Sequence, residues 1–265
     1  MFLMKWSQHA TYAQTIARRA GDIIRTHFAR TISVARKHDG TPVTSTDLIV
    51  NKLVVDLLKK EFPTHKVLAE EGDDRTGSSD YAWVCDPLDG TNQFCRGIAL
   101  CSFVLALTLR GESVLGVIYD PFTDRMFVAE KNTGAFMNGE RIHVSNTNTL
   151  RTAQCGLVSW HDDSLGFSRL ADPLRDEGVY VMQNISIAYL AALVAKGFFD
   201  GSLFPGEHPH EGAAIKVIVE EAGGKVTDVF GNEQRYDRPI KGLVVSNGRL
   251  HSELLSLVAR LKPSF

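Results

Sequence analysis

Apolar positions along the chain recur at two periods, and the change between them marks out its elements. From residue 6 to about 28, Ala10, Ala13, Ala17, Ala20, Ile24 and Phe28 follow one another at gaps of three and four. That spacing lays one apolar stripe along a long helix. Gly40-Thr41-Pro42 marks a turn. Ser45 or Thr46 can then cap a second helix with Leu48, Val55, Leu58 and Phe62 on one side, stopped by Pro63. Short apolar runs follow. Residues 66–69 and 82–85 read as strands that end in acidic residues, Glu70-Glu71 and Asp86. Residues 101–109 read as a strand, Gly111 turns the chain into 114–119, and 126–129 follows. Asn138-Gly139 is a hairpin dipeptide. Beyond it, strands at 156–159, 179–182, 225–229 and 243–246 accompany helices at 186–196, 211–222 and 248–261, with Gly223-Gly224 ending the middle helix. Helices with an antiparallel meander, then mixed β and α, predict a layered α/β (α+β) fold.

Composition narrows the function classes. The chain has 265 residues, between one and two domains at roughly 150 residues each. No Gly/Ser linker, like-charge block or repeat divides it. It is therefore expected to be one domain, 1–265, with an N-terminal α+β half of about 1–147 and a C-terminal α/β half of about 148–265. Twenty-nine basic and 31 acidic residues leave a net charge of −2, without the basic surplus a nucleic-acid partner requires. Hydrophobic residues at 44% suffice for a sizeable core and exclude disorder. The first residues lack a signal-peptide pattern, and no run approaches the ~18 apolar residues of a membrane span. Four cysteines, none spaced as CxxC, are expected to be reduced thiols of a cytoplasmic protein. The histidines form no HExxH pattern.

The candidate chemistry lies in three acidic clusters: Asp47, Glu70-Glu71 and Asp86-Pro87-Leu88-Asp89-Gly90-Thr91. In the third, a strand delivers Asp86 to a sheet edge and a turn brings Asp89 round to face the same point. Carboxylates joined by a carbonyl such as that of Leu88 suit Mg²⁺ or Mn²⁺. Gly90 lets an anion approach the backbone, and Gly90, Thr91 and Asn92 would open a helix whose N–H groups favour phosphate. A cation beside an anion cradle is the arrangement for phosphate-ester hydrolysis. Each cluster alone has a plainer reading: a surface turn, a solvated acidic pair, or a first-turn acid complementing a helix dipole.

Together the clusters resemble the inositol monophosphatase-like family of Mg²⁺-dependent, lithium-sensitive sugar phosphatases. The similarity runs through Val43-Thr44-x-x-Asp47, Ala69-Glu70-Glu71 and Trp83-Val84-x-Asp86-Pro87-Leu88-Asp89-Gly90-Thr91-Asn92-x-Phe94. It continues through the hairpin Gly134-Ala135-Phe136-Met137-Asn138-Gly139, then Glu211-Gly212-Ala213-Ala214 and Val219-Glu220-Glu221-Ala222-Gly223-Gly224. The resemblance implies layers in the order α-β-α-β-α, a homodimer, and two or three Mg²⁺ ions that Mn²⁺ can replace. It implies Glu70, Asp86, the Leu88 carbonyl and Asp89 as ligands of a first metal, and Asp86, Asp89 and Glu211 of a second. Asp47 and Thr91 would orient the attacking water, with Glu70 beside it, and Asp89, Gly90 and Thr91 would meet the phosphate.

Two departures from the family pattern stand out. Glu211 occupies the place of an aspartate, one methylene longer, in Pro209-His210-Glu211-Gly212-Ala213-Ala214. Phe204 stands where a sugar-binding glutamate is expected, so an aromatic wall could replace a polyol contact. Asn184, Ser186, Glu207 and His208 are further candidates for substrate contact; the stretch Gly206-Glu207-His208-Pro209-His210 would lie near the metals, with His208 and His210 either anion-facing or, the favoured reading, incidental. The expected activity is hydrolysis of a small phosphorylated metabolite, such as an inositol phosphate, a sugar phosphate, histidinol phosphate or 3′-phosphoadenosine phosphate. The alternative is a catalytically weak member with a regulatory or binding role.

Overall fold

A computed structural model describes residues 6–28, 34–36, 42–159 and 165–261. Helix α1 (Gln8–Phe28) precedes a two-stranded ribbon, β1 (Val34–Arg36) with β2 (Pro42–Thr44), and then α2 (Ser45–Glu61). The first large sheet contains β3 (Lys66–Ala69), β4 (Tyr81–Asp89), β5 (Ser102–Leu109), β6 (Glu112–Asp120), β7 (Arg125–Glu130), β8 (Gly134–Met137) and β9 (Glu140–Ile142) in that order. One short helix, α3 (Thr91–Cys95), interrupts it after β4. The second half contains β10 (Gln154–Leu157), α4 (Ala171–Asp176), β11 (Tyr180–Gln183), α5 (Ile187–Ala195), β12 (Gly201–Phe204), α6 (Ala213–Glu221), β13 (Lys225–Thr227), β14 (Leu243–Ser246) and α7 (His251–Val258). Its sheet runs β11-β10-β12-β14-β13.

Three apolar clusters bind the layers. Ala10, Ala13, Ala17, Ala20 and Ile24 of α1, with Val50, Val54 and Leu58 of α2, pack on Trp83, Cys85, Phe103 and Leu105. The alternate residues of the same strands, Val84, Val104 and Ala106, pack on α5 and α6, which also meet Val226, Leu243 and Val245 of the second sheet. The outer face of that sheet is covered by Leu174 of α4 and Leu254 of α7. The layers therefore run α-β-α-β-α, the expected architecture. Strand alternation carries the same logic one residue further: Asp86 follows Val84 on the face toward the middle helices.

Several elements differ from the sequence reading. Thr44, one residue earlier than expected, caps α2, and Leu48 on that helix is 52% exposed while Val50, Val54 and Leu58 are buried. Strand β12 is too short and too flanked by glycine to announce itself, yet it lies at the centre of the second sheet. The turn at Gly40-Thr41 lies outside the described residues. The Asn138-Gly139 hairpin forms as expected, with φ of 51° and 84°, the left-handed pair a type I′ turn needs. No helix among the described residues is long and apolar enough to cross a membrane.

Helix α6 crosses β6 at Gly116, where an added Cβ would lie 2.7 Å from the Ala214 carbonyl oxygen and 2.8 Å from Val217 Cγ1. Gly116→Val should therefore push helix from sheet and cost about 1–3 kcal/mol, read as a lowered urea midpoint. A wild-type midpoint would mean that α6 does not seat on β6 this closely.

Candidate active site

The site is assembled from three ends of secondary structure. The first is the start of α2. Thr44 and Asp47 form a capping box: the Thr44 hydroxyl accepts from the Thr46 and Asp47 amides, while the Thr44 amide donates to Asp47 Oδ2 at 2.9 Å. The Thr44 hydroxyl also bonds Asp47 Oδ2. This occupies Oδ2 and leaves Oδ1 facing Thr91, whose Oγ1 is 3.1 Å from it and 2.9 Å from the Leu88 carbonyl oxygen. The single hydroxyl proton is thus shared between a carboxylate and a carbonyl.

The second is the end of the parallel pair β3–β4. The pairing carries on past β3, with the Glu70 amide donating to the Cys85 carbonyl at 3.1 Å, so Glu70 and Asp86 leave the sheet side by side. The β4–β5 register then slips between Asp86 and Asp89. In that bulge the Leu88 amide turns back onto Asp86 Oδ1 at 2.9 Å. Gly90 follows at φ 93°, and a Cβ there would come within 2.9 Å of the Leu100 carbonyl oxygen. Only glycine meets both conditions. Helix α3 begins at Thr91 as expected, but it is a single turn.

The third end is the start of α5. Asp89 Oδ2 accepts from Ser186 Oγ at 2.5 Å and from the Ala188 amide at 2.7 Å, and Oδ1 accepts from the Ile187 amide at 3.2 Å. A carboxylate at a helix N-terminus satisfies the open amides and meets the favourable end of the dipole. Ser186 is itself the N-cap, accepting from the Tyr189 amide. Its one proton goes to Asp89, so in its 3.0 Å contact with Ser102 it accepts. Asp89 is thereby fixed before any ligand arrives.

A 3₁₀ turn, Pro209–Glu211, leads into α6 and packs against β4 and β5. Glu211 ends this turn rather than sitting in the helix. Its Oε2 folds back to accept from the Glu207 and His208 amides at 2.8 and 2.7 Å. In the same turn, one ring nitrogen of His210 lies with carboxylate oxygens of Glu70 and Asp86 in a group whose members are all within 4.8 Å of one another. The sequence favours an incidental role for His210 and does not single it out as a ligand. Its signal was its place between a proline that starts the turn and the acid already under suspicion.

The electrostatics follow from crowding acids in a dry place. Burial, then Glu70, then Asp89 hold the Asp86 carboxyl well above the usual range. Burial raises Asp47 despite its bonds from Thr44. Burial pushes Asp89 up to about 6 against the pull of Ser186 and the α5 amides, and pushes Glu211 up to about 7 against the His208 and Glu207 amides.

Two expected substrate contacts are corrected. Phe204 is fully buried in the middle core cluster and presents no wall to a ligand. Ser186 is 1% exposed with its hydroxyl committed to Asp89 and the α5 cap. Asn184 is exposed beside α3, its carbonyl accepting from Gln93 Nε2 at 2.5 Å. His208 is exposed, its ring stacked on His210 at 5.3 Å.

These shifts set a pH dependence for the metal-free protein. Asp89 and Glu211 bind protons more tightly folded than unfolded, where carboxyls titrate near 3.8 and 4.5. Between those values and about 6 to 7 the folded state holds the extra protons, so their stability contribution falls as pH rises through that window. For Glu211 the loss is roughly 3 kcal/mol. With metal chelated, the change in urea-unfolding free energy from pH 5 to 8 should be less negative in Glu211→Gln than in wild type. An unchanged pH profile would show that Glu211 is not held protonated by its surroundings.

Comparison with known proteins agrees with this geometry. The profile of the inositol monophosphatase family matches residues 5–262. The fructose-1,6-bisphosphatase/inositol-1-monophosphatase of Thermotoga maritima is 34% identical over 244 residues, 92% of this chain and 93% of that protein. The histidinol-phosphatase of Chlorobaculum parvum is 31% identical over 250 residues, 93% of this chain and 95% of that one. A solved Thermotoga maritima IMPase superposes with a TM-score of 0.88 at 31% identity, covering 96% of this chain and 98% of the other. With a family match from end to end and the layered fold in common, this chain belongs to the inositol monophosphatase family of phosphatases.

Proposed function

We propose that this chain is a Mg²⁺-dependent phosphomonoesterase that hydrolyses a small phosphorylated metabolite with water. The observation that carries the reading is the Thr91 hydroxyl bridging Asp47 and the Leu88 carbonyl beside the half-buried Glu70 and the buried Asp86 and Asp89. The donor set fits a hard divalent cation: several carboxylates and a carbonyl converge on one place. Glu70, Asp86, the Leu88 carbonyl and Asp89 would hold one ion, and Asp86, Asp89 and Glu211 would face a second. Such ions, when bound, lower the pKa of water and offset phosphate charge. Mn²⁺ has the same oxygen preference and can substitute.

The chain's own groups supply the positioning. Thr44 locks Asp47 Oδ2, so Asp47 Oδ1 holds the Thr91 proton and turns the Thr91 lone pairs toward an attacking water. Gly90 and the Thr91 amide leave the backbone open to phosphate oxygens. Asn184 and His208 are the exposed polar groups placed to meet the alcohol portion. The relatives' names support inositol phosphate, fructose bisphosphate and histidinol phosphate as candidates. The buried Phe204 removes the reason to favour an aromatic one, 3′-phosphoadenosine phosphate included.

The same reading includes a cytoplasmic homodimer. All four cysteines are free thiols. Ile98, Leu100, Tyr180 and Met182 expose apolar side chains on segments linked by the Gln93–Asn184 bond, and β11 is an edge strand with its outer side open.

Phosphate release with Mg²⁺ from inositol 1-phosphate, fructose 1,6-bisphosphate, histidinol phosphate, 3′-phosphoadenosine 5′-phosphate and an aryl phosphate tests the proposal. Turnover of at least one should depend on Mg²⁺. Silence on all five with metal bound would contradict it and favour a regulatory role.

Asp86→Asn should lose metal binding and most activity. Thr91→Val should keep the metal yet lose about 10²–10⁴-fold in kcat, the usual worth of a positioned proton acceptor. Wild-type turnover in either variant would refute the assigned roles.

A further inference from the structure

Lengthening a side chain in the 3₁₀ turn has consequences for its neighbour. Glu211 is not in the group that Glu70 and Asp86 form with His210, although it lies near enough for Glu70 and Asp89 to add to burial in raising its pKa. Its Oε2 closes on the amides of Glu207 and His208, and the fold makes room for this: a Cβ on Gly206 would sit 2.8 Å from that oxygen. The turn is firmly built. Pro209 starts it, the Glu211 amide donates to the His208 carbonyl at 3.1 Å, and the Gly212 amide donates to the Pro209 carbonyl at 3.2 Å. The side chain this turn does deliver to the cluster is His210. Its ring is backed by His208, nearly parallel at 8°.

The distances are those of shared coordination. Two ligand atoms on opposite sides of a cation with bonds of about 2.0–2.2 Å lie about 4 Å apart. The His210 nitrogen, Glu70 oxygen and Asp86 oxygen all fall within 4.8 Å of one another, so small adjustments place all three on one ion. An imidazole also adds a donor without adding negative charge, where Asp47, Glu70, Asp86 and Asp89 already converge. Nitrogen donors shift preference among divalent ions: Mg²⁺ keeps to oxygen, whereas imidazole suits Zn²⁺ and the later transition metals.

We propose that His210 is a metal ligand in this chain, completing a mixed nitrogen–oxygen site with Glu70 and Asp86 that binds Mn²⁺ and Zn²⁺ in preference to Mg²⁺. The inference rests on the metal-dependent reading above and adds to it the identity of a donor and the order of metal preference.

Mn²⁺ alone is the probe, added to metal-free protein, with pulsed electron paramagnetic resonance reading magnetic nuclei bonded to the ion. Wild type should show a ¹⁴N coupling that changes to ¹⁵N when histidine is labelled. His208→Gln should keep the coupling, since His208 lies outside the group. His210→Gln should abolish it and weaken Mn²⁺ binding by at least the roughly 10-fold that losing even an outer partner of a metal ligand costs, with Mg²⁺ affinity changed less. Far-UV circular dichroism checks that each variant is folded, and the labelled wild type carries the test if His210→Gln is not. Mn²⁺ bound without nitrogen coupling, but weakened by Glu70→Gln, would overturn the role of His210 and leave the metal centre standing. Coupling that persists in folded His210→Gln would overturn it too. No Mn²⁺ binding at all would overturn the metal-dependent reading itself.

Discussion

Carboxylates repel one another and resist leaving water, and this chain buries several at one place. Asp47, Asp86 and Asp89 are each under a tenth exposed, and Glu70 is close enough to raise the pKa values of Asp86, Asp89 and Glu211. Isolated buried charge is so costly that groups normally protonate or pair instead. Amides of Thr44, Ile187 and Ala188 and hydroxyls of Thr44, Thr91 and Ser186 hold Asp47 and Asp89 in place. These groups orient the acids without cancelling their charge, and such crowding favours protons or cations on the cluster.

The layered fold positions each acid by a different device. A capping box aims Asp47, parallel pairing sets Glu70 beside Asp86, a bulge swings Asp89 round, and the start of α5 receives it. Because α5 lies between the two sheets, Asp89 ties the meander of the first half to the helices of the second. The bond from Gln93 to the Asn184 carbonyl does the same at the surface. The acids therefore sit at the junction of the halves, where binding reports on packing of the whole molecule.

Much of this was legible in the sequence because it is local. Period marked the long helices, Asn138-Gly139 marked a hairpin, and the Asp-Pro-x-Asp-Gly-Thr order marked the turn that brings Asp89 round to Asp86. What escaped was decided by tertiary contact. Leu48 looks as apolar as Val50 and Val54, and only the position of the sheet turns it outward while they are buried. Phe204 looks like a pocket wall in a motif alignment, but strand β12 is central, so both its faces are interior. Ser186 stands at the start of a helix already in the sequence reading, but only the fold brings Asp89 to its hydroxyl. Glu211 keeps its acidic character, yet one methylene more lets the carboxylate return to its own turn and leaves His210 facing the cluster.

The central claim is that the buried acids form a divalent-cation centre, and the most direct measurement is anomalous diffraction from crystals of the wild-type protein grown at neutral pH with Mn²⁺. The account predicts a strong anomalous peak within bonding distance of Glu70 and Asp86, reached also by the Leu88 carbonyl and Asp89. A map with no peak there would contradict it.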